Sequence, residues 1–264
     1  MIFPFVESFM AHLLFQPIFK LSPFLQLPLG LVIGYLLATV SESIWHRLIC
    51  HAEPQQRMFW KKQPLLFEPF SLSFFRHGVV HHCLTYRSDF VTKFENEEHK
   101  RRVIRIALQN GDCNISKAHC DYGLTISWVG FLNFNLTTFP FLPVIAMTLG
   151  LWSALSCFPM LIITPSLSRW IHPYLHASPD IIEKTAPRLV KLLLRTRYFR
   201  YVACHHFLHH KYQICNFNLL LGGDWLLGVH QNPSLADLQE MEALGFEVSE
   251  LKAKFLQNIK IQQV

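Results

Sequence analysis

The chain has 264 residues, of which 51% are hydrophobic and only 16% are charged, and its formal net charge is +6. Soluble domains carry about 25% charged residues, so this composition excludes a disordered or low-complexity chain and favours a membrane protein. The seven cysteines are odd in number and none are spaced as CxxC. That count argues against a disulfide framework and against a CxxC zinc site.

The N-terminal part of the chain contains two apolar segments. Met1–Lys20 carries Glu7 and has no basic beginning, so we interpret it as an interfacial helix or a short first span rather than a cleaved signal peptide. Leu21–Ser41 is a charge-free run of about the 20 residues that a membrane span needs, with Pro23 and Pro28 in its first turns. The second segment therefore predicts a transmembrane helix.

A third apolar stretch, Tyr122–Ser168, contains no Asp, Glu, Lys, Arg or His. It is long enough for two spans, and Pro140 and Pro143 predict a turn between them. Twelve basic residues lie in the block before it (residues 47–117), and eleven lie in the block after it (residues 169–260). Since basic residues concentrate on the cytoplasmic side of membrane proteins, the pattern predicts a membrane hairpin with both blocks in the cytoplasm and argues against nucleic-acid binding.

The C-terminal part predicts further helices. A proline opens a helix expected over residues 188–211, and a glycine-interrupted apolar stretch follows at residues 217–229. Ser234 and Asp237 then resemble a capping box at the start of a helix. A last amphipathic helix is expected over residues 248–261.

Eleven of the fifteen histidines fall in four groups with regular spacing. The groups are HxxxxH (His46, His51), HxxxHH (His77, His81, His82), HxxxH (His172, His176) and HHxxHH (His205, His206, His209, His210). Imidazoles four residues apart on one helix face can chelate one metal ion, while an adjacent histidine points about 100° away around the helix. Two such helices facing each other can therefore build a two-metal site. His46 and His51, five apart, would lie on different faces, so they either serve different ions or are separated by the end of the helix.

The histidine pattern also restricts the kind of chemistry. Imidazole ligands suit iron, zinc, copper and nickel. The chain has no ExxH, HExxH, GxSxG, Walker A or GxGxxG motif, which disfavours carboxylate diiron bundles, zincin peptidases, serine hydrolases, NTPases and dinucleotide-binding enzymes. The remaining His12, His99, His119 and His230 are interpreted as structural or exposed.

In these histidine boxes the chain resembles the fatty acid hydroxylase/sterol desaturase superfamily of membrane oxygenases, over roughly residues 25–230. The similarity continues after the last box, where an Asn-containing turn leads to Asp224 and then Gly228. The family often has Trp directly before this Asp, whereas here Gly223 precedes it and Trp225 follows it. The resemblance implies an all-α fold, a multi-pass membrane helical bundle with a histidine-rich cytoplasmic cap.

The resemblance further implies a membrane-bound diiron oxygenase that uses O₂ to hydroxylate a C–H bond of a lipid, such as a fatty acyl chain or a sterol. The hydroxylase domain with the dimetal site would occupy residues 1–232, and residues 233–264 would form a soluble helical tail. The eleven clustered histidines would be ligands of two iron ions, although which of His205 and His206 is a ligand stays open. Zinc could substitute for iron in the isolated protein, and no catalytic residue is expected beyond the ligands. Glu42 and Asp224 are candidate partners of ligand histidines, with a salt bridge to Arg47 and a helix or turn cap as their respective alternative roles.

The implied partners are the lipid substrate, O₂ and a separate electron donor, either a ferredoxin or a small cytochrome with its reductase. The implied location is the bacterial inner membrane or the endoplasmic reticulum, with the histidines on the cytoplasmic side. Two alternatives stay open. One is a lipid desaturase with the same site, and the other is a non-enzymatic membrane protein that binds or transports metal.

Overall fold

The computed structural model describes most of the chain, and its described residues are mostly helical, as the sequence predicts. They are residues 17–19, 21–87, 89–110, 119–120, 123–124, 131, 135, 137–213 and 215–262. Most of the predicted N-terminal interfacial segment, with His12, lies outside them. So does most of the first half of the predicted membrane hairpin.

The described elements include two π-helical segments, π1 and π2, among the α-helices. In the first half of the chain they are α1 (Pro23–Trp45), π1 (His46–Cys50), α2 (Pro54–Lys61), α3 (Pro64–Phe74), π2 (Phe75–Thr85) and α4 (Glu97–Gln109). Two short strands then pair antiparallel, β1 (His119–Cys120) and β2 (Gly123–Leu124). The second half contains α5 (Phe141–Leu149), α6 (Leu151–Trp170), α7 (His172–Leu175), α8 (Pro179–Thr185), α9 (Arg188–Leu194), α10 (Arg197–Tyr212), α11 (Gly223–Leu226), α12 (Leu235–Ala243) and α13 (Ser249–Gln262).

Among the described residues, two helices are long and apolar enough to cross a membrane. One is α1 together with its continuation π1, and the other is α6. They approach each other closely, since a Cβ atom on Gly30 would lie 2.1 Å from the carbonyl oxygen of Ser153, and one on Gly34 would lie 2.7 Å from that of Cys157. Small residues allow this backbone contact between membrane helices. The outward faces expose large apolar side chains: Phe24, Leu25, Leu31, Val32 and Leu36 on α1, and Leu151, Trp152, Leu155 and Phe158 on α6.

Of the stretch predicted as a two-span hairpin, the structure describes mainly the second half, so the first span stays a prediction. Residues 137–140 do form a turn, but Pro143 lies in the first turn of α5, where proline is tolerated. Helix α5 has only nine residues, which is too short for a span. The chain breaks again at Gly150, whose φ of 104° favours glycine. Within the described part of this stretch, α6 is the one helix of spanning length.

The helix predicted over residues 188–211 is divided into α9 and α10. The break lies at Thr196, whose hydroxyl accepts a hydrogen bond from the backbone N–H of Phe199 (3.4 Å) and caps α10. A threonine that begins a new helix in this way ends the preceding one. Helix α10, which carries the HHxxHH box, is therefore a separate helix from α9.

The tail contains the two helices that the sequence predicts. The capping box of Ser234 and Asp237 is present at the start of α12, and α13 covers the expected amphipathic segment. Leu238 and Met241 of α12 pack into an apolar cluster with Phe207 of α10. The tail is therefore in direct contact with the helix that carries the HHxxHH box.

Candidate metal centre

Ten of the eleven clustered histidines lie in two adjacent groups. Group A consists of His51, His77, His82 and His209, with His46 beside them. Group B consists of His81, His176, His206 and His210, with His172 beside them. Within each group of four, the candidate ligand atoms all lie within 4.8 Å of one another. Each group could therefore hold a metal ion.

The imidazoles of group A meet through their Nε2 atoms. The Nε2 atom of His82 lies 3.1 Å from that of His77 and 3.2 Å from that of His209. The Nε2 atom of His51 lies 3.3 Å from that of His209. The ring of His46 completes the group from the end of α1, with its centroid 4.9 Å from that of His77.

The winding of the two π-helices places histidines that are five residues apart together in group A. In π1 the backbone N–H of His51 donates to the carbonyl of His46, five residues back (2.8 Å). Side chains five apart therefore lie one turn apart, and the same winding in π2 brings His77 together with His82. The expectation that His46 and His51 lie on different faces is thus wrong. The i, i+4 pair of His77 and His81 is also separated, because His81 turns toward group B.

Group B is centred on α10, which keeps ordinary α-helical winding. His206 and His210 are four apart on one face of this helix, as the HHxxHH spacing predicts. The Nε2 atom of His206 lies 2.8 Å from that of His176 and 3.0 Å from that of His172. The Nε2 atom of His81 lies 3.1 Å from that of His210.

Three backbone carbonyls orient the rings of these groups. The Nδ1 atom of His46 donates to the carbonyl of Glu42 (3.1 Å), that of His176 to Phe90 (3.2 Å) and that of His209 to Cys215 (3.2 Å). A neutral imidazole carries one N–H, so these hydrogen bonds assign the proton to Nδ1. The Nε2 atoms of these three histidines are then free to bind a metal ion.

The arrangement fits metal ions better than hydrogen bonds among the imidazoles. The Nε2 atoms of His206 and His209 each have two histidine Nε2 neighbours, and one proton cannot satisfy both contacts. Burial, together with the repulsion that a protonated His46 would exert, lowers the pKa of His51 to about 3, and burial lowers the pKa of His176 to about 3. Such imidazoles are neutral near pH 7, which is the form that binds a metal.

His205, predicted as a ligand, lies outside both groups. Its Nε2 atom is 3.2 Å from Nδ1 of His230 and 3.8 Å from a carboxylate oxygen of Asp224. Sequence reasoning missed the pairing with His230, for which the local sequence gives no spacing signal. Asp224 has closer partners than His205, because it accepts hydrogen bonds from Oγ of Ser43 (2.7 Å) and the backbone N–H of Asn218 (3.0 Å).

Glu42, the other candidate partner of a ligand, supports the site in an unexpected way. Its backbone carbonyl, and not its carboxylate, contacts the ring of His46. The buried carboxylate accepts hydrogen bonds from the backbone N–H groups of Leu219 (3.0 Å) and Leu220 (3.1 Å). It thereby fixes the loop that follows α10 against the end of α1.

Three further residues complete the account of the cysteines and histidines near or outside the two groups. Cys50 forms a third possible ligand group with His46 and His77, which the search for CxxC spacing missed. His99 is structural, as the sequence suggests, since its Nδ1 atom accepts from the backbone N–H of Glu95 (3.2 Å) near the start of α4. His119 lies in β1.

Comparison with known protein families, curated proteins and solved structures found no match. The site is therefore assigned from its own geometry. Two groups of four histidines could hold metal ions, and the first of them adjoins the end of a helix of spanning length.

Proposed function

We propose that the chain is a membrane-bound diiron oxygenase that hydroxylates a lipid C–H bond with O₂, as its resemblance to the fatty acid hydroxylase/sterol desaturase superfamily implies. The observation that carries the proposal is the pair of adjacent four-histidine groups. Neighbouring residues supply both groups, since His81 and His82 on π2 and His209 and His210 on α10 divide between B and A. Two ions held this way would be close enough to act on one substrate.

The position of the site supports a lipid substrate. Helix α1 continues without interruption into π1, so a helix of spanning length leads directly to His46 and His51. The apolar outward faces of α1 and α6 suit contact with acyl chains. We propose a multi-pass arrangement in the bacterial inner membrane or the endoplasmic reticulum, with the histidines on the cytoplasmic side, where basic residues concentrate.

The residues of the chain have definable tasks in such a reaction. Imidazoles kept neutral by burial provide the ligands without adding negative charge, and the carbonyls of Glu42, Phe90 and Cys215 hold three of the rings in the ligand tautomer. All four histidines of group B are buried, whereas three of the four in group A are half-buried, so burial would keep water mainly from group B. Iron bound there would supply the activation of O₂, and the electrons would come from a ferredoxin or a small cytochrome with its reductase.

The proposal is tested by expression in a host that lacks such enzymes. We expect two iron ions per purified chain and lipids with added oxygen by mass spectrometry, and we expect His81→Ala and His209→Ala each to bind about one iron ion fewer and to lose lipid oxidation. His99→Ala is the matched control, because this histidine is buried but lies outside both groups. A chain without iron, or variants with intact lipid oxidation, would refute the proposal. Lipids that lose hydrogen without gaining oxygen would identify a desaturase instead.

One observation favours a second candidate, a non-enzymatic protein stabilised by zinc. Each group contains four histidines, and four ligands close the tetrahedral sphere of a structural zinc ion. In that case the protein would retain zinc but no iron, would unfold on metal removal and would leave the host lipids unchanged. The same metal and lipid measurements separate the two functions.

A further inference from the structure

Helix α1 carries a stripe of polar side chains within its apolar sequence. Tyr35, Thr39, Glu42 and Ser43 follow the i, i+4, i+7, i+8 spacing of one helix face. Thr39, Glu42 and Ser43 are fully buried. Polar groups inside a span are costly unless they have partners, so the stripe requires an explanation beyond membrane crossing.

The partner of this stripe is the segment that follows α10. Glu42 accepts hydrogen bonds from the N–H groups of Leu219 and Leu220. Thr39 donates to the carbonyl of Leu220 and accepts from the N–H of Gly223 (2.7 Å). Each contact joins a side chain of α1 to the backbone of this segment, which is non-helical as far as Gly222 and then enters α11.

The segment runs along α1 toward the middle of the span. After the contacts at Glu42 and Thr39, the hydroxyl of Tyr35 donates to the carbonyl of Leu221. From Glu42 back to Tyr35 the helix rises about 10 Å at ~1.5 Å per residue. The loop therefore extends well below the end of α1, to a depth near the centre of the apolar helix Pro23–Cys50.

Two glycines permit this close approach. A Cβ atom on Gly223 would lie 2.2 Å from the carbonyl oxygen of Thr39, which no side chain could tolerate. Gly222 has a φ of 131°, a conformation that favours glycine. The glycine pair in the sequence GGDWLLG thus serves to seat the segment against the helix.

The outer surface of the segment is apolar and partly exposed, although the ring of Trp225 also packs against His230. Trp225 is 48% exposed and Leu226 is 61% exposed, and Leu227 beside them is also exposed. Non-helical backbone at membrane depth is tolerated only where its polar groups are satisfied by protein. The polar side chains of α1 satisfy backbone groups of the segment by hydrogen bonds. The exposed Trp and Leu side chains are of the kind that lies at a bilayer interface.

We propose that residues 217–228 form a re-entrant membrane segment whose Trp225–Leu227 face contacts the acyl chains of the leaflet on the histidine side. The bilayer is the chosen partner because α11, which carries this face, packs against α1, a helix of spanning length with exposed apolar side chains. This inference rests on the membrane placement of α1 that the proposed function includes, and it is independent of iron and of lipid oxidation.

The test measures the depth of single spin labels in the full chain, reconstituted in phosphatidylcholine vesicles. Labels are placed at Leu226→Cys, at Leu31→Cys on the exposed face of α1 and at Leu256→Cys in the tail, in a Cys83→Ser background that removes an exposed thiol. Power saturation of the EPR signal compares collisions with O₂, which concentrates in the bilayer, and with a water-soluble nickel chelate. Signal from the background without an added cysteine is subtracted.

We expect the label at position 226 to behave like that at position 31, with O₂ access several-fold above nickel access, and the label at position 256 to show the reverse. A water-like label at 226 with a bilayer-like label at 31 would overturn the re-entrant segment alone. Water-like labels at both positions would overturn it together with the membrane placement of α1. Leu227→Cys repeats the measurement should Leu226→Cys fail to fold, as judged by circular dichroism.

Discussion

Replacement of Glu42 by alanine should strongly destabilise the region around the metal centre. The carboxylate is buried and accepts hydrogen bonds from the backbone N–H groups of Leu219 and Leu220 at 3.0 and 3.1 Å. An unsatisfied buried donor costs about 1–3 kcal/mol, so the two together cost about 2–6 kcal/mol. This is a large part of the ~5–15 kcal/mol that stabilises a typical protein.

The assay is denaturant unfolding of the metal-loaded protein in detergent, followed by circular dichroism. Glu42→Gln keeps one carbonyl oxygen, so we expect it to lose about half as much free energy of unfolding as Glu42→Ala. Ser41→Ala, one residue away and half-buried, is the control and should change little. The reasoning is refuted if Glu42→Ala and Ser41→Ala unfold alike.

Three further predictions concern the ligands and the break between α5 and α6. His82→Ala should lower the metal content by about one ion per chain by mass spectrometry, whereas His205→Ala, outside both groups, should leave it unchanged; equal losses would contradict the assignment. The pKa of His82 is lowered to about 2 and that of His176 to about 3 from 6.5, mainly by burial. Below pH 6.5 the unfolded chain therefore binds more protons than the folded chain. As the pH falls from 6.5 toward 3, each of these histidines should lower the free energy of unfolding of the metal-free protein by up to about 1.4 kcal/mol per pH unit. A free energy of unfolding that does not change with pH would disprove this prediction. Gly150→Ala should cost about 1–3 kcal/mol because of its positive φ, and its Cβ atom would also lie 2.4 Å from the Gln26 side chain; an unchanged melting temperature would argue against this backbone.

The sequence identified the histidines that come together but not how they divide. The HxxxHH spacing is compatible with both an α-helix and a π-helix. Which of the two forms depends on packing, which the spacing does not reveal. The repeated five-residue interval, in His46/His51 and His77/His82, was the available signal for π-helices. The sequence also gave no reason to pair His205 with His230, because that contact depends on the path of the loop after α10.

Helix boundaries were predictable where a local signal exists. The capping box at Ser234 marked the start of α12 correctly, because both of its hydrogen bonds are local. The turn at residues 137–140 was predicted from Pro140, but the additional break at Gly150 was missed, because a glycine inside an apolar run predicts a turn only when its φ is known. The role of the polar stripe on α1 was not predictable for a similar reason. Thr39 and Ser43 are compatible with an ordinary membrane span, and only the structure shows that they bind the segment after α10.

The metal content of the purified chain tests the central claim most directly. Protein expressed with iron in excess and isolated without chelators should contain two iron ions per chain by mass spectrometry. Single replacement of His77 in group A or His206 in group B should lower that number to about one. A wild-type chain that binds no metal, or variants that keep both ions, would contradict the two-group centre.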